Sequence, residues 1–277
     1  MSLVLVNTFL KVVETGSLVS ASRHLNVTQS TVTTRLKTLE QEIGQPLLHR
    51  HRSGVRPTTA GLKFQRYAEA MSGLWRQALL ETSQPSGITT VCNLGCEADL
   101  WDGLGRPFAA RVRREHAGVA LNVRVADAAR IDDWLQLGTI DAAFARHRFT
   151  HERVRVCALG AERLLLVSTD PTAAAVHDPG YLYVDAGPAF GREHAAAYAG
   201  ADVARNSVDV APWGLDHLLD HGGSAYLPEA LVGVHLEAGR LHRIADAPMF
   251  ERERYLLVRA DAVASWPWLE PVVSSLI

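Results

Sequence analysis

Cysteine, long apolar runs and catalytic signatures are all scarce in this chain, and each scarcity removes a class of answer. Three cysteines among 277 residues (Cys92, Cys96 and Cys157) are an odd number without dense spacing. That excludes a disulfide-stapled scaffold and fits a reducing compartment. Cys92 and Cys96 stand four apart on a strand and its exit, too distant in extended chain to bridge easily, so a redox switch is not expected. No apolar stretch approaches the roughly 20 residues of a membrane span. The start, Met1-Ser-Leu-Val-Leu-Val-Asn7, lacks the basic region of a secretory leader. The expected location is cytoplasmic, with no membrane partner. No Gly-x-Ser-x-Gly, His-Glu-x-x-His or phosphate loop occurs, and Gly103-Leu-Gly105 lacks the third glycine and preceding strand of a dinucleotide fingerprint. His217 and His221 have metal-ligand spacing beside Asp216 and Asp220 but no third ligand nearby, which reads as a surface face. Neither enzymatic activity, nor a metal, nor a cofactor is expected.

Lysine is missing from residues 86–277, and this asymmetry is informative. The net charge of −2 argues against a nucleic-acid binder until the chain is divided. Residues 1–85 carry 10 Lys and Arg against 5 Asp and Glu, a balance of +5, whereas residues 86–277 carry 18 against 25, a balance of −7. One basic module is joined to an acidic one with another task.

The basic part holds the most specific pattern. Leu18, Ala21 and Leu25 lie at helical spacing, Asn26-Val27 is a tight turn, and Thr28 is a good N-cap. Val32, Leu36, Leu39 and Ile43 then repeat at steps of four, three and four, within about 60° of arc on one helix face. Ser30, Thr34, Lys37 and Gln41 point the other way, with Thr31 and Thr33 on the flanks. Short hydroxyl, amide and basic side chains suit base edges and phosphates of a DNA major groove. Gly44 ends this helix, and His49-Arg-His-Arg-Ser-Gly-Val-Arg56 forms a basic hairpin tip, a wing suited to the DNA backbone or minor groove.

Residues 3–82 resemble the N-terminal domain of LysR-type transcriptional regulators. The resemblance rests on Phe9 with Val12-Val13, Gly16-Ser17-Leu18, Ala21-Ser22, Leu25, Thr28-Gln29-Ser30, Val32-Thr33, Leu39-Glu40, Ile43-Gly44, Leu47-Leu48, Arg50 and Thr58-Thr59-Ala60-Gly61. Thr33 stands where the family usually has serine, and its extra methyl suits a thymine methyl. The resemblance implies that Gln29, Ser30, Thr33 and Thr34 face bases beside the capping Thr28. It implies that Arg35, Lys37, Arg50 and Arg52 serve phosphates or the minor groove, and Arg56 joins them from the wing.

Beyond Pro57, a long helix is expected from Thr58 or Thr59 to about Thr82. Its stripe of Tyr67, Met71, Leu74, Trp75 and Ala78 exceeds what a small domain can cover, with Leu62 and Phe64 assigned to the domain's own core. A partner helix is expected to cover the rest, and the resemblance implies an antiparallel pairing with a second copy. Gln84-Pro-Ser-Gly87 breaks the helix. Strands then alternate with helices: strands at 88–94, 120–125, 141–145, 163–168, 181–185, 225–227 and 253–259, helices at 100–115, 131–137 and 266–276. That order implies βαβ units and a mostly parallel sheet. Gly138-Thr-Ile-Asp-Ala-Ala143, His116-Ala-Gly-Val119 and Gly223-Ser-Ala-Tyr-Leu-Pro228 resemble the LysR-type effector domain, and residues 184–191 with His194 resemble HdfR-like flagellar-gene repressors of that family. The expected fold is α/β: an N-terminal winged helix-turn-helix (1–58), a linker and dimerisation helix with hinge (59–87), and a periplasmic-binding-protein-like effector domain (88–277). Its subdomain I spans 88–160 and 255–277, and its subdomain II 161–254.

In open α/β sheets ligands sit beyond the carboxyl ends of strands. Those ends place Cys96, Glu97, Asp127, Arg146, Asp185, Ser207 and Tyr226 toward the expected effector cleft. Cys96 and Glu97 replace the family's usual small-hydroxyl anion site, which favours a neutral or cationic polar effector over an acidic one. Arg146 has two open roles, pairing with a ligand carboxylate or with Glu97. The expected function is a LysR-type regulator, a dimer or tetramer reading an inverted-repeat site in double-stranded DNA, with a small-molecule effector, and RNA polymerase as a partner if it activates. The alternatives are a ligand-independent repressor whose C-terminal domain only oligomerises, or an enzyme or solute-binding module with a DNA-binding appendage.

Overall fold

A computed structural model describes residues 2–51, 54–83, 87–173, 180–199 and 204–276. The chain divides into two compact units, Met1–Ser86 with Gln136–Thr139, and Gly87–Leu135 with Ile140–Ile277.

The first unit contains α1 (Leu3–Thr15), α2 (Leu18–His24), α3 (Gln29–Ile43), a ribbon of β1 (Leu48–His51) and β2 (Gly54–Pro57), and α4 (Thr59–Thr82). Ser2, Ser17, Thr28 and Thr58 each accept a hydrogen bond from a first-turn amide of the helix that follows. Phe9 and Val12 of α1, Leu18 and Ala21 of α2, Val32, Leu36 and Leu39 of α3, and Leu47 share one core. Ile43, the last member of the α3 stripe, lies past the edge of that core and is 38% exposed. Glu40 fixes the chain as it enters the wing: its Oε1 accepts from the backbone amides of Leu47 (2.8 Å) and Leu48 (3.1 Å). The chain leaving the wing is pinned by Thr58, whose Oγ1 donates to the Pro46 carbonyl (2.8 Å) and accepts from Gly61 N (2.9 Å). Residue 61 must be glycine, because a Cβ there would lie 2.0 Å from the Leu47 carbonyl oxygen.

The second unit opens with β3 (Thr90–Cys96), α5 (Arg106–Glu115), β4 (Val119–Val125), α6 (Ala128–Leu137) and β5 (Ala142–Ala145). β3 runs parallel to both β4 and β5. The expected helix from residue 100 instead begins as a 3-10 turn (Ala98–Leu100) and a π turn (Trp101–Gly105), and regular helix starts only beside Pro107. After β6 (Val154–Ser168) come β7 (Leu182–Val184), α7 (Pro188–Ala197), β8 (Asn206–Val208), α8 (Ala211–His221), β9 (Ser224–Pro228), α9 (Glu229–Glu237), β10 (His242–Arg243) and β11 (Phe250–Arg259). The chain closes with α10 (Ala260–Ser265), which was not expected, and α11 (Leu269–Ser274), so the helix expected from residue 266 starts only after Pro267.

The large sheet is mixed rather than mostly parallel. β11 is antiparallel to β5 and β6, and β6 is antiparallel to β9 and β10. The reason lies in β6 and β11, of 15 and 10 residues, which run past one another between two subdomains. Leu159 and Leu256 pack in one subdomain's core with Phe108 and Phe144, while Leu165 and Val167 pack in the other's with Leu215 and Leu227. Between these halves the β6–β11 register breaks at Glu253/Tyr255, and Gly160 takes a left-handed φ of 76°. The Arg254 guanidinium reaches across the break to the Leu159 carbonyl (3.1 Å).

Candidate DNA-binding face and effector cleft

The polar face of α3 follows from its burial pattern. With Val32, Leu36 and Leu39 in the core, Gln29, Ser30, Thr34 and Lys37 are exposed and Thr33 is half-buried at the margin. Thr28 is exposed but its Oγ1 is committed to capping, accepting from Thr31 N (3.2 Å). The Arg35 guanidinium leans back on α1, 3.5 Å from Thr8 Oγ1. In the wing, Arg56 is exposed on β2. Arg50 sits opposite Val55 in the ribbon register, with its side chain outside the described atoms, and Arg52 lies outside the described residues.

On α4 the apolar stripe divides. Phe64, Ala68 and Met71 pack on the first unit's own core, with Phe64 edge-on to Phe9 at 5.3 Å. Met71 therefore belongs to that core. Leu62, which the sequence assigned there, is on the opposite side of the helix and 57% exposed. Tyr67, Leu74, Trp75 and Leu79 are 57%, 42%, 52% and 48% exposed, and Ala78 is exposed with them.

The second unit has a cavity of about 310 Å³ lined by Glu97, Asp99, Asp127, Arg146, Asp185 and Asp209, with Ala98, Val125, Ala126, Gly187 and Val210 between them. Four residues expected in a cleft, Glu97, Asp127, Arg146 and Asp185, are thus brought together. Asp127 also caps α6, accepting from Arg130 N (2.8 Å), and Asp185 accepts from Gly187 N (2.8 Å). Arg146 is spoken for. Its Nε donates to Glu97 Oε2 (2.6 Å), its backbone amide to Glu97 Oε1 (2.8 Å), and its Nη1 to Asp99 Oδ2 (3.1 Å). Burial alone would raise the Glu97 pKa, but His147 and Arg146 outweigh it and hold the carboxyl at about 2. The Glu97 carboxylate, 3.5 Å from Nδ1, pushes the His147 pKa up against partial burial, and Asp132, 2.7 Å from Nε2, adds to it.

Asp99 carries most of the buried charge network. Its Oδ2 also accepts from Arg252 Nη1 (3.0 Å), while its Oδ1 accepts from Ala211 N at the start of α8 (2.7 Å). Arg252 in turn donates from Nε to Glu162 Oε2 (2.7 Å). With one cation against five carboxylates, and that cation already paired, the cavity wall is acidic.

Three expected cleft residues do not line this cavity. Cys96 points to the other face of β3, fully buried, its Sγ donating to the Glu97 carbonyl (3.2 Å). Burial, reinforced by Glu97, Asp102 and Asp99, pushes its thiol up to about 12, and burial also raises Cys92, so neither is a ready thiolate. Tyr226 is buried among Tyr181, Phe190 and Phe250. Its hydroxyl donates to the Pro248 carbonyl (2.8 Å) and accepts from Tyr198 (2.6 Å). Ser207 is exposed on β8, whose next residues Asp209 and Val210 reach the cavity instead.

Two family models account for most of the chain: the bacterial regulatory helix-turn-helix protein, lysR family, over residues 3–62, and the LysR substrate binding domain over residues 86–266. The chain belongs to the LysR family. It is a DNA-binding transcriptional regulator with an effector-binding domain. The HTH-type transcriptional regulator HdfR of Salmonella schwarzengrund is 27% identical over 256 residues, 91% of this chain and 90% of that protein. Full-length CbnR complexed with its target DNA superposes with a TM-score of 0.71 at 17% identity, covering 100% of both chains. LysG of Corynebacterium glutamicum with bound effector Arg gives 0.52 at 22%, covering 100% of this chain and 98% of that one. These two structures share the fold.

For a LysR-family regulator, the residues that sequence reasoning missed are Asp99, Asp209, His147, Asp132, Glu162 and Arg252. Asp99 was legible in principle, two residues beyond Glu97 at the same strand exit. Glu162 and Arg252 carried no local signal, because their pairing depends on the antiparallel register of β6 and β11. Among the described residues no group of three metal-ligating side chains exists, and no helix is long and apolar enough to cross a membrane.

Proposed function

We propose that this regulator reads an inverted-repeat DNA site as a dimer, with residues 1–58 as the DNA-binding head, 59–87 as the dimerisation linker and 88–277 as the effector domain. The observation that carries this reading is the exposed hydroxyl, amide and basic face of α3 beside a cationic wing. In the complex, Gln29, Ser30, Thr33 and Thr34 meet base edges, while Lys37, Arg50, Arg52 and Arg56 meet phosphates or the minor groove. The α4 side chains Tyr67, Leu74, Trp75 and Ala78 supply the self-contact, supported by an apolar stripe that continues beyond its own core. Recovering bound DNA from cells and footprinting it tests the reading. Two protected half-sites about one or more helical turns apart support it. A single protected half-site bound by a monomer overturns it.

The acidic cavity favours a cationic effector, such as an amine or guanidinium compound, and LysG with its bound Arg offers a precedent on this fold. A ligand at 100 times its Kd stabilises the protein by about 2.7 kcal/mol, a shift readable by thermal unfolding of the full chain. Arginine, lysine and a diamine are expected to raise the midpoint and succinate to leave it unchanged. The internal neutralisation of Arg146 by Glu97 and Asp99 favours a second reading, a repressor that needs no effector. No shift with any cation, together with unchanged DNA binding, selects that one.

A further inference from the structure

The wing carries two side chains that neither the head nor the cleft has so far used. In the β1–β2 ribbon, His49 pairs with Arg56 and His51 with Gly54, whereas Leu48 pairs with Pro57 and Arg50 with Val55. Directly opposed residues share a face of a ribbon and successive ones alternate. Leu48 and Val55 pack against the core of the first unit, which assigns His49, His51 and Arg56 to the other face. All three are exposed, and the two imidazole centroids are 6.0 Å apart. Neither imidazole has a hydrogen-bond partner among the described residues, and β2, the strand packed against β1, presents Arg56 as the charged side chain facing them.

Two adjacent imidazoles beside an arginine are an unusual way to build a phosphate-binding surface, since imidazole ordinarily titrates near pH 6.5. We infer that His49 and His51 are DNA-contacting residues that bind the phosphate backbone in their protonated form, so that this regulator holds DNA more tightly as pH falls from 8 toward 6. The physical basis is linkage. A phosphate within a few ångströms favours the imidazolium, so binding DNA takes up protons, and by reciprocity protons strengthen binding. Phosphate contacts by cations release counterions, so each imidazolium engaged steepens the salt dependence of log K by about 0.9. The effect is independent of sequence, because it acts on the backbone. The inference rests on the reading of the wing as a DNA contact, and the test separates the two.

The test uses the full chain, a random-sequence duplex of fixed length, and salt titrations of affinity at pH 6 and pH 8. The slope of log K against log salt is expected to be steeper at pH 6 by up to about 1.8 for each DNA-bound head. The double variant His49→Gln/His51→Gln should match the wild type at pH 8 and lose most of this pH-dependent increment. Thermal midpoints equal to wild type verify that these exposed substitutions leave the fold intact. Arg56→Gln serves as the reference, lowering the slope by about one unit per DNA-bound head at both pH values. If the double variant keeps the wild-type pH dependence while Arg56→Gln behaves as stated, the histidine inference is overturned and the wing reading stands. If Arg56→Gln changes nothing either, the wing is not on DNA.

Discussion

Removing Arg252 should be far more damaging than removing the whole ion pair to which it belongs. The Arg252 side chain is 6% exposed and those of its partners Glu162 and Asp99 are 4% and 3%. Asp99 retains Arg146 and Ala211 N when Arg252 is lost, but Glu162 loses the cation that offsets its burial. Breaking one side of a buried pair in this way costs about 3–5 kcal/mol. Arg252→Met should therefore lower the urea midpoint by about 1–1.7 M at an m-value near 3 kcal/mol/M. Arg252→Met combined with Glu162→Leu replaces the pair by apolar groups of similar length and should recover about 2 kcal/mol or more of that loss. The assay is urea unfolding of the full chain followed by tryptophan fluorescence, with each single variant and the double variant completing the cycle. A loss below about 1 kcal/mol for Arg252→Met, or a double variant as unstable as the sum of the singles, would refute the assignment of this network as buried and mutually compensating.

Further outcomes follow from the same geometry. Gln29→Ala and Thr33→Ala should each lose about 1–3 kcal/mol of binding at the specific site and little on random duplex, measured by competition titration; equal losses on both would remove α3 from the bases. Trp75→Glu with Leu74→Glu should leave the head folded by circular dichroism yet shift the protein toward monomer in sedimentation, with weaker binding to a two-half-site duplex. The Glu97 pKa is depressed on folding, so its stabilisation is present above the ordinary carboxylate pKa near 4.3 and is lost as pH falls toward about 2. Wild type and Glu97→Gln should accordingly differ in urea midpoint at pH 6, with the gap roughly halved by pH 3 and closing only as pH falls to about 2 and below, and a constant gap would contradict the ion pair.

The first unit was readable because its signals are local. The Thr28 cap, the stripe of Val32, Leu36 and Leu39, and the glycine that ends α3 all lie within one helix, and the structure places them as the periodicity dictates. Ile43 and Leu62 went astray because periodicity assigns a side but not how far a neighbouring surface extends. In the second unit the alternation of strands and helices was visible, yet the mixed sheet was not. Strand direction is decided by which strands meet, and β6 and β11 meet about 90 residues apart, as their pair Arg252 and Glu162 shows. The same distance hid the cleft's internal neutralisation. Glu97 and Arg146 were weighed as partners because each ends a strand, whereas Asp99 and Arg252 needed the folded register. Tyr226 and Cys96 were misplaced by one alternation or one neighbour, each on a strand whose two faces are both buried.

The break in β6 and β11 at Gly160 and Glu253/Tyr255 bears on how such an effector domain can move at all. Two long strands joined by hydrogen bonds behave as a leaf spring, with no free pivot between the lobes they serve. A ligand that draws the lobes together has to bend that spring, and it will yield where the ladder already skips a residue and a glycine tolerates the torsion. Arg254, bonded across the skip to the Leu159 carbonyl, acts there as a clip. On the effector reading proposed above, bending this one corner is a cost that a closing ligand would meet before any of its binding energy could act on DNA.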